Sequence, residues 1–259
     1  MIGGSPAAHG TVHLVGAGPG DPGLLTLRAA TLLSTCSFVA YDRLVEAATL
    51  TLIPPTAERT QVGKDAGGGW SQQDVNQLLV SAARAGHAVV RLKGGDPYVF
   101  GRGTEEVAAC VAAGLPVEVV PGASSAVAGP AAAGIPVTHR GVAAGFAVVT
   151  GHEDPADPGS QLDHGVLAAF PGTLVFLMGL RAVGRIAAGL LAHGRPPDTP
   201  VAVVASATTD RQEVLEADLA SVADAVERSG LRGPATIVVG DVVRLRSLAR
   251  TLAAAAATA

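Results

Sequence analysis

Two side chains could do acid–base chemistry: Asp42, which closes the apolar run 38-FVAYD-42, and Lys64, in the glycine-rich 62-VGKDAGGG-69. A carboxylate is ionised near neutral pH and can act as a general base, and a buried ammonium can lose a proton, which a guanidinium effectively cannot. Lysine is also rare here. Of the 18 Lys and Arg residues only Lys64 and Lys93 are lysines, and both sit at or beside glycine-rich loops. Asp42 follows Gly20 by 22 positions, about where a dinucleotide fold keeps its ribose-binding carboxylate. Three readings of Asp42 stay open on spacing: a turn cap, a ribose ligand or a catalytic carboxylate. For Lys64 the residues alone favour a solvated loop lysine over an acid, base or anion contact.

The loops themselves are 16-GAGPGDPG-23 and 94-GGDPYVFGRG-103, each preceded by an apolar run and followed by a helix-like stretch. Glycine lets backbone approach a ligand closely, and proline stiffens the turn. Two such loops at strand ends imply one small-molecule site lined largely by main chain. Neither is a Walker A loop, since no Gly-Lys-Ser/Thr follows, and Asp21 stands where G-x-G-x-x-G needs its third glycine. Asp96 suits a turn in which its side chain bonds backbone two residues on. Glu105 and Glu106 suit the start of a helix, and Lys93 reads as a structural charge. Met178 reads as core, and 138-THR-140 and 150-TGH-152 as polar turns.

The elements that must carry these loops alternate. Strand candidates are 12–16, 38–42, 88–93, 117–121, 146–151, 173–179, 201–206 and 236–243, with helices expected over 24–35, 103–114 and 180–194. Another helix starts at Ser71, where Ser71 and Asp74 resemble a capping box and Val75, Leu78, Leu79 and Ala82 share one face. Strands alternating with helices indicate an α/β protein with mainly parallel pairing. A seam is expected at 120-VPGASS-125, dividing residues 11–121 from 122–246, with 1–10 and 247–259 frayed. The uncharged stretch 119–137 is interrupted by prolines and glycines and reads as loop and tight packing rather than a membrane span.

Composition narrows the partners. Hydrophobic residues make up 48% of the 259 and aromatics only 3%, so the core is Ala, Val and Leu, and neither an aromatic cage nor a base-stacking platform is expected. Net charge is −4 with no basic run, which argues against nucleic acid. Cys36 and Cys110 lack metal or redox spacing, and the N-terminus has no secretory pattern, so a reduced cytoplasmic setting without a metal is expected.

Taken together, 14-LVGAGPGDPGLLTLRA-29, 41-YDRLV-45, 62-VGK-64, 91-RLKGGDPYVFGRG-103, 119-VVPGASS-125, 134-GIPVTHR-140 and 150-TGH-152 resemble the tetrapyrrole methyltransferase family, in motif order as well as content. The resemblance runs from about Val12 to about Arg246. It implies two α/β domains, the first with a mainly parallel and the second with a mixed sheet, a cleft between them, and a homodimer. It implies methyl transfer from S-adenosylmethionine to pyrrole carbons of a tetrapyrrole, leaving S-adenosylhomocysteine, with no metal because the sulfonium is already a good leaving group. In the branch the motifs fit best, the substrate is uroporphyrinogen III, methylated at carbons 2 and 7.

The resemblance assigns Asp42 as proton acceptor and Lys64 as proton donor. It assigns Pro19, Gly94, Gly95, Asp96, Val99, Ser124, Ser125, Met178 and Ala207 to the cofactor. Arg28, Arg43, Arg102 and Arg140 are the motif-adjacent cations for a substrate bearing eight carboxylates. The chain departs from the family pattern at Asp65, where Arg is usual, at Leu177, where Tyr is usual, and at Ala207, where Gly is frequent. The alternatives are a family member acting on a later corrin intermediate or on a protein modification, a non-catalytic cofactor-binding module, and a nicotinamide oxidoreductase. The missing third glycine counts against the last.

Overall fold

The computed structural model describes residues 4–65, 68–153, 157 and 159–246, with the side chains of residues 64, 65 and 68 outside the description. The chain divides into two compact units, Met1–Ser124 and Ser125–Ala259.

The first unit holds β1 (Val12–Gly16), α1 (Leu27–Thr35), β2 (Phe38–Asp42), α2 (Ala47–Leu50), β3 (Glu58–Val62), a short ribbon of β4 (Lys64–Asp65) and β5 (Gly68–Gly69), α3 (Gln72–Arg84), β6 (Val89–Lys93), α4 (Gly103–Ala112) and β7 (Val117–Val120). Five strands form one parallel sheet in the order β3-β2-β6-β1-β7. The side-chain period of two sorts its faces. Val15, Val39, Val90 and Leu92 join Leu32 and Leu33 of α1 on one side. Val12, Leu14, Ala40 and Val89 join Val75 and Leu79 of α3 and Cys110 of α4 on the other. With helices on both faces, every loop that leaves a strand's carboxyl end opens on the same edge, where ligands gather in such sheets.

The second unit holds α5 (Ser125–Ala132), β8 (Phe146–Thr150), α6 (His164–Ala169), β9 (Thr173–Leu177), α7 (Val183–Ala192), β10 (Pro200–Ala205), β11 (Glu213–Asp218), α8 (Val222–Ser229) and β12 (Ala235–Val239). Its sheet runs β11-β10-β12-β9-β8, antiparallel throughout except for β8 beside β9. The mainly parallel pairing expected from the strand–helix alternation therefore holds only in the first unit, and the second has the mixed sheet that the resemblance implied.

Several expected elements change. The helix expected from residue 24 starts at Leu27, because Thr26 caps it by accepting from the Ala29 N–H. The strand expected over 236–243 ends at Val239: Gly240 takes φ 140°, and Asp241–Leu245 coil into a 3-10 turn. The stretch expected to be loop contains α5 despite Pro130 inside it. Tertiary contact compensates for the lost helix bond, since Gly129 lies against Thr236 and Ala207 and Thr236 donates to the Ser125 carbonyl. The Ser71–Asp74 capping box is present, with Val75, Leu79, Ala82 and Ala83 buried.

Candidate active site

At the carboxyl edge of the first sheet, three backbones meet. Ala17 N–H donates to the Lys93 carbonyl at 2.7 Å, and Gly18 and Gly95 exchange N–H···O bonds of 3.2 and 2.8 Å, which ties the two glycine loops together. A methyl on Gly16 would lie 2.5 Å from Gly122 N, and one on Gly122 would lie 2.2 Å from Gly95 O. Only glycine fits at these positions, and the reason is space. Asp96 locks the arrangement: one carboxylate oxygen accepts from Tyr98 N–H at 2.8 Å and the other from Gly122 N–H at 3.1 Å.

The second loop is also strained. Phe100 and Arg102 have φ of 52° and 56°, left-handed conformations that side-chain-bearing residues avoid. Such strain tends to concentrate where a ligand or a reaction uses it. Pro19 and Val99 are half-buried in these loops.

Asp42 ends β2 on the same edge. Arg91 of β6 donates to its carboxylate, and the Asp42 side chain keeps 31% of its surface exposed. Behind them lies a buried ionic cluster that the sequence did not reveal. Arg91 Nε and Lys93 Nζ both donate to Glu106 Oε1 at 3.0 Å, and Nζ also lies 3.0 Å from Oε2, which accepts no hydrogen bond among the described residues. Gln72 Nε2 adds a contact of 3.3 Å. Burial pushes the Lys93 ammonium below the ordinary lysine range, followed by repulsion from Arg91, while Glu106 and Asp42 pull the other way. Lys64 is joined to Gly69 through the β4–β5 ribbon, and its side chain lies outside the described residues.

The proposed substrate cations fare differently. Arg28 makes a two-pronged pair with Glu118 of β7, Nε to Oε1 at 2.7 Å and Nη2 to Oε2 at 2.6 Å, and also donates to the Ser5 carbonyl. Its charge is thus already matched inside the unit. Arg102 pairs with Glu105 in solvent. Arg43 and Arg140 are exposed, and among the described residues neither is paired with a carboxylate.

In the second unit, β9 and β10 both run antiparallel to β12, so Met178 and Ala207, just past their ends, lie on one edge of the sheet. Met178 is not the core residue its composition suggested: it is 55% exposed with φ 58°. Ser206 and Thr208, flanking Ala207, have φ of 45° and 67°. Ser125 joins this edge through Thr236, which pairs with Leu177 and donates to the Ser125 carbonyl at 3.3 Å. Ser124 closes the first unit.

Residues 11–223 match the family model described as tetrapyrrole (corrin/porphyrin) methylases. The chain belongs to the tetrapyrrole methylase family. It is 49% identical over 241 residues to the S-adenosyl-L-methionine-dependent uroporphyrinogen III methyltransferase of Methanosarcina barkeri, covering 93% of this chain and 94% of that protein. The siroheme synthase of Methylobacillus flagellatus is 45% identical over 92% of this chain, which spans only 51% of that longer tetrapyrrole enzyme. Among solved methylase structures, the uroporphyrin-III C-methyl transferase from Thermus thermophilus complexed with S-adenyl homocysteine superposes with a TM-score of 0.78 at 45% identity, over 91% of this chain and 99% of that one. Among the described residues no helix is long and apolar enough to cross a membrane, and no group of His, Cys, Asp and Glu is arranged to hold a metal ion.

Proposed function

We propose that this chain is an S-adenosylmethionine-dependent C-methyltransferase that converts uroporphyrinogen III to precorrin-2 by methylating carbons 2 and 7. The observation that carries this reading is the 49% identity to a uroporphyrinogen III methyltransferase across 94% of that protein's length. The residues present fit the methyl donor. Crowding at Gly16 and Gly122 leaves no room for side chains there, so main chain lines this end of the sheet. The exposed, left-handed Met178 offers a polarizable thioether in the second unit.

Pro19, Gly94, Gly95, Asp96 and Val99 in the first unit, with Ser124, Ser125, Met178 and Ala207, would hold S-adenosylmethionine. When bound there it supplies an electrophilic methyl on a sulfonium. Asp96 also shapes the loop: spanning Tyr98 N–H and Gly122 N–H, it fixes the backbone there. Asp42, partly exposed at the strand end, takes up the proton left on a ring carbon after attack. Lys64 donates a proton to the macrocycle. Arg43 and Arg140 meet substrate carboxylates, and Arg102 can join them by exchanging Glu105 for a substrate group. The protein works as a cytoplasmic homodimer.

The test is direct. Incubation with uroporphyrinogen III and labelled S-adenosylmethionine should give a product carrying two methyl groups; a product carrying none would sink the reading. Asp42→Asn and Lys64→Met should each slow turnover while leaving S-adenosylhomocysteine affinity intact, and unchanged turnover would remove that residue's role.

A further inference from the structure

The cluster behind Asp42 is built too carefully to serve as mere filling. Arg91 and Lys93 stand two residues apart, on the same face of a strand whose five residues are all buried. Two buried cations side by side repel, and each has lost water. Glu106, with its side chain 1% exposed, lies against both, and Gln72 reaches over from α3. The result is a chain of contacts from Lys93 through Glu106 and Arg91 to the one exposed member, Asp42. Its charges are two positive and two negative.

Such a cluster contributes little stability compared with well-packed apolar side chains, because desolvating the ions offsets their attraction. What it does provide is direction. Arg91 has a planar fork with fixed donor geometry. Its Nε is held by Glu106 and its Nη1 by the carbonyls of Ala40 and Leu92, at 3.4 and 3.1 Å. That leaves Nη2 aimed at the Asp42 carboxylate.

We propose that Glu106 is a positioning residue for the reaction: anchored by Lys93, it holds the Arg91 guanidinium in the one orientation that presents the Asp42 carboxylate at the sheet edge. This rests on the reading of Asp42 as proton acceptor. Glu106 itself is sealed from solvent and touches no reacting atom; its effect passes through Arg91.

The experiment compares kcat with melting temperature in the parent and four variants. Glu106→Gln keeps the shape of the side chain and removes its charge. It should lower kcat by about ten- to a hundredfold, the scale of misplacing a reacting group by an ångström or less, and leave S-adenosylhomocysteine affinity unchanged. Because it also strands buried cations, its melting temperature should fall. Pairing Glu106→Gln with Lys93→Met removes one buried charge of each sign and restores the balance. The melting temperature should then recover while kcat stays low, since a neutral amide holds Arg91 more weakly and less directionally than the carboxylate.

In an Asp42→Asn background, Glu106→Gln should cost no further kcat, because two residues acting through one contact do not give independent losses. Recovery of kcat together with stability in the balanced double variant would overturn the proposal and reduce Glu106 to a structural charge. So would an equal loss from Glu106→Gln with and without Asp42→Asn. Full turnover by Asp42→Asn, measured with Glu106 intact, would instead remove the proton-acceptor reading beneath it.

Discussion

Replacing Gly122 with alanine adds a methyl group at the point where three strand-end backbones meet. The new Cβ would stand 2.2 Å from Gly95 O, 2.8 Å from Gly16 Cα and 2.9 Å from Gly16 C. Ordinary contact requires the Gly95 carbonyl to retreat by roughly 1 Å, since all three neighbours are backbone and none can rotate away. Forced overpacking of this kind costs about 1–3 kcal/mol. The retreat also pulls on the 3.1 Å bond from Gly122 N–H to Asp96 and the 3.2 Å bond from Gly18 N–H to Gly95 O. A hydrogen bond to a charged acceptor is worth about 1.5–3 kcal/mol. Relaxation shares these costs, so a total of about 3 kcal/mol is expected, and for a chain of this size that lowers the melting temperature by about 5–15 °C.

The same displacement opens the second glycine loop. If half the strain is relieved only when the loop is empty, S-adenosylhomocysteine affinity falls about tenfold. Calorimetric melting and titration calorimetry read the two effects. Gly145→Ala is the control, because a Cβ there meets nothing within 4 Å and the backbone is not left-handed. A Gly122→Ala protein that matched Gly145→Ala in both melting and affinity would refute the reasoning, since it would mean that the three backbones are free to part.

Other outcomes follow from the charges. His13 is buried on β1, its Nδ1 2.8 Å from Glu118 Oε2 and its Nε2 accepting from Ala8 N–H at 3.2 Å, and Arg28 donates to the same Glu118 oxygen. Burial, ahead of all other causes, holds the ring below its ordinary value of 6.5. The unfolded chain therefore binds the proton first, so this contribution to stability is complete above about pH 6.5 and is lost as pH falls. Urea titrations should show the parent weakening from there downward. His13→Gln should hold down to about pH 4.5, where Glu118 of the unfolded chain begins to protonate while Arg28 keeps the folded carboxylate ionised to lower pH; identical pH profiles would exclude the assignment. Arg28→Gln should lower the melting temperature with little change in substrate KM, whereas Arg43→Gln and Arg140→Gln should raise substrate KM and reduce its salt dependence with little change in melting. The Cys36 and Cys110 thiols, both buried and pushed up to about 11 mainly by burial, should resist iodoacetamide until the protein is unfolded, as mass spectrometry would show.

What could be read beforehand was what depends on neighbours in sequence. The glycine loops, the Ser71 cap and the strand that ends at Asp42 are local chemistry. The polar strands β3 and β11 went unseen because they lie at sheet edges, where pairing rather than apolar content makes the strand. α5 went unseen because its support comes from Thr236, more than a hundred residues away.

The ionic cluster is the instructive case, since its clue was visible. In 88-AVVRLK-93 two cations interrupt an apolar run at the period of two that puts both on one face. A strand buried on both sides cannot keep two such charges unless another element brings an anion to them. The helix that follows offers two acids, Glu105 and Glu106, and position in the first turn alone suits both as dipole partners. Only Glu105 suits that reading, exposed beside Arg102; Glu106, one residue on, turns inward. Helical geometry separates adjacent residues by about 100°, so the pair could not share one environment. Two buried cations on a strand, followed by adjacent acids on the next helix, therefore argue that one of those acids belongs to the strand. Here that acid reaches Asp42 through Arg91.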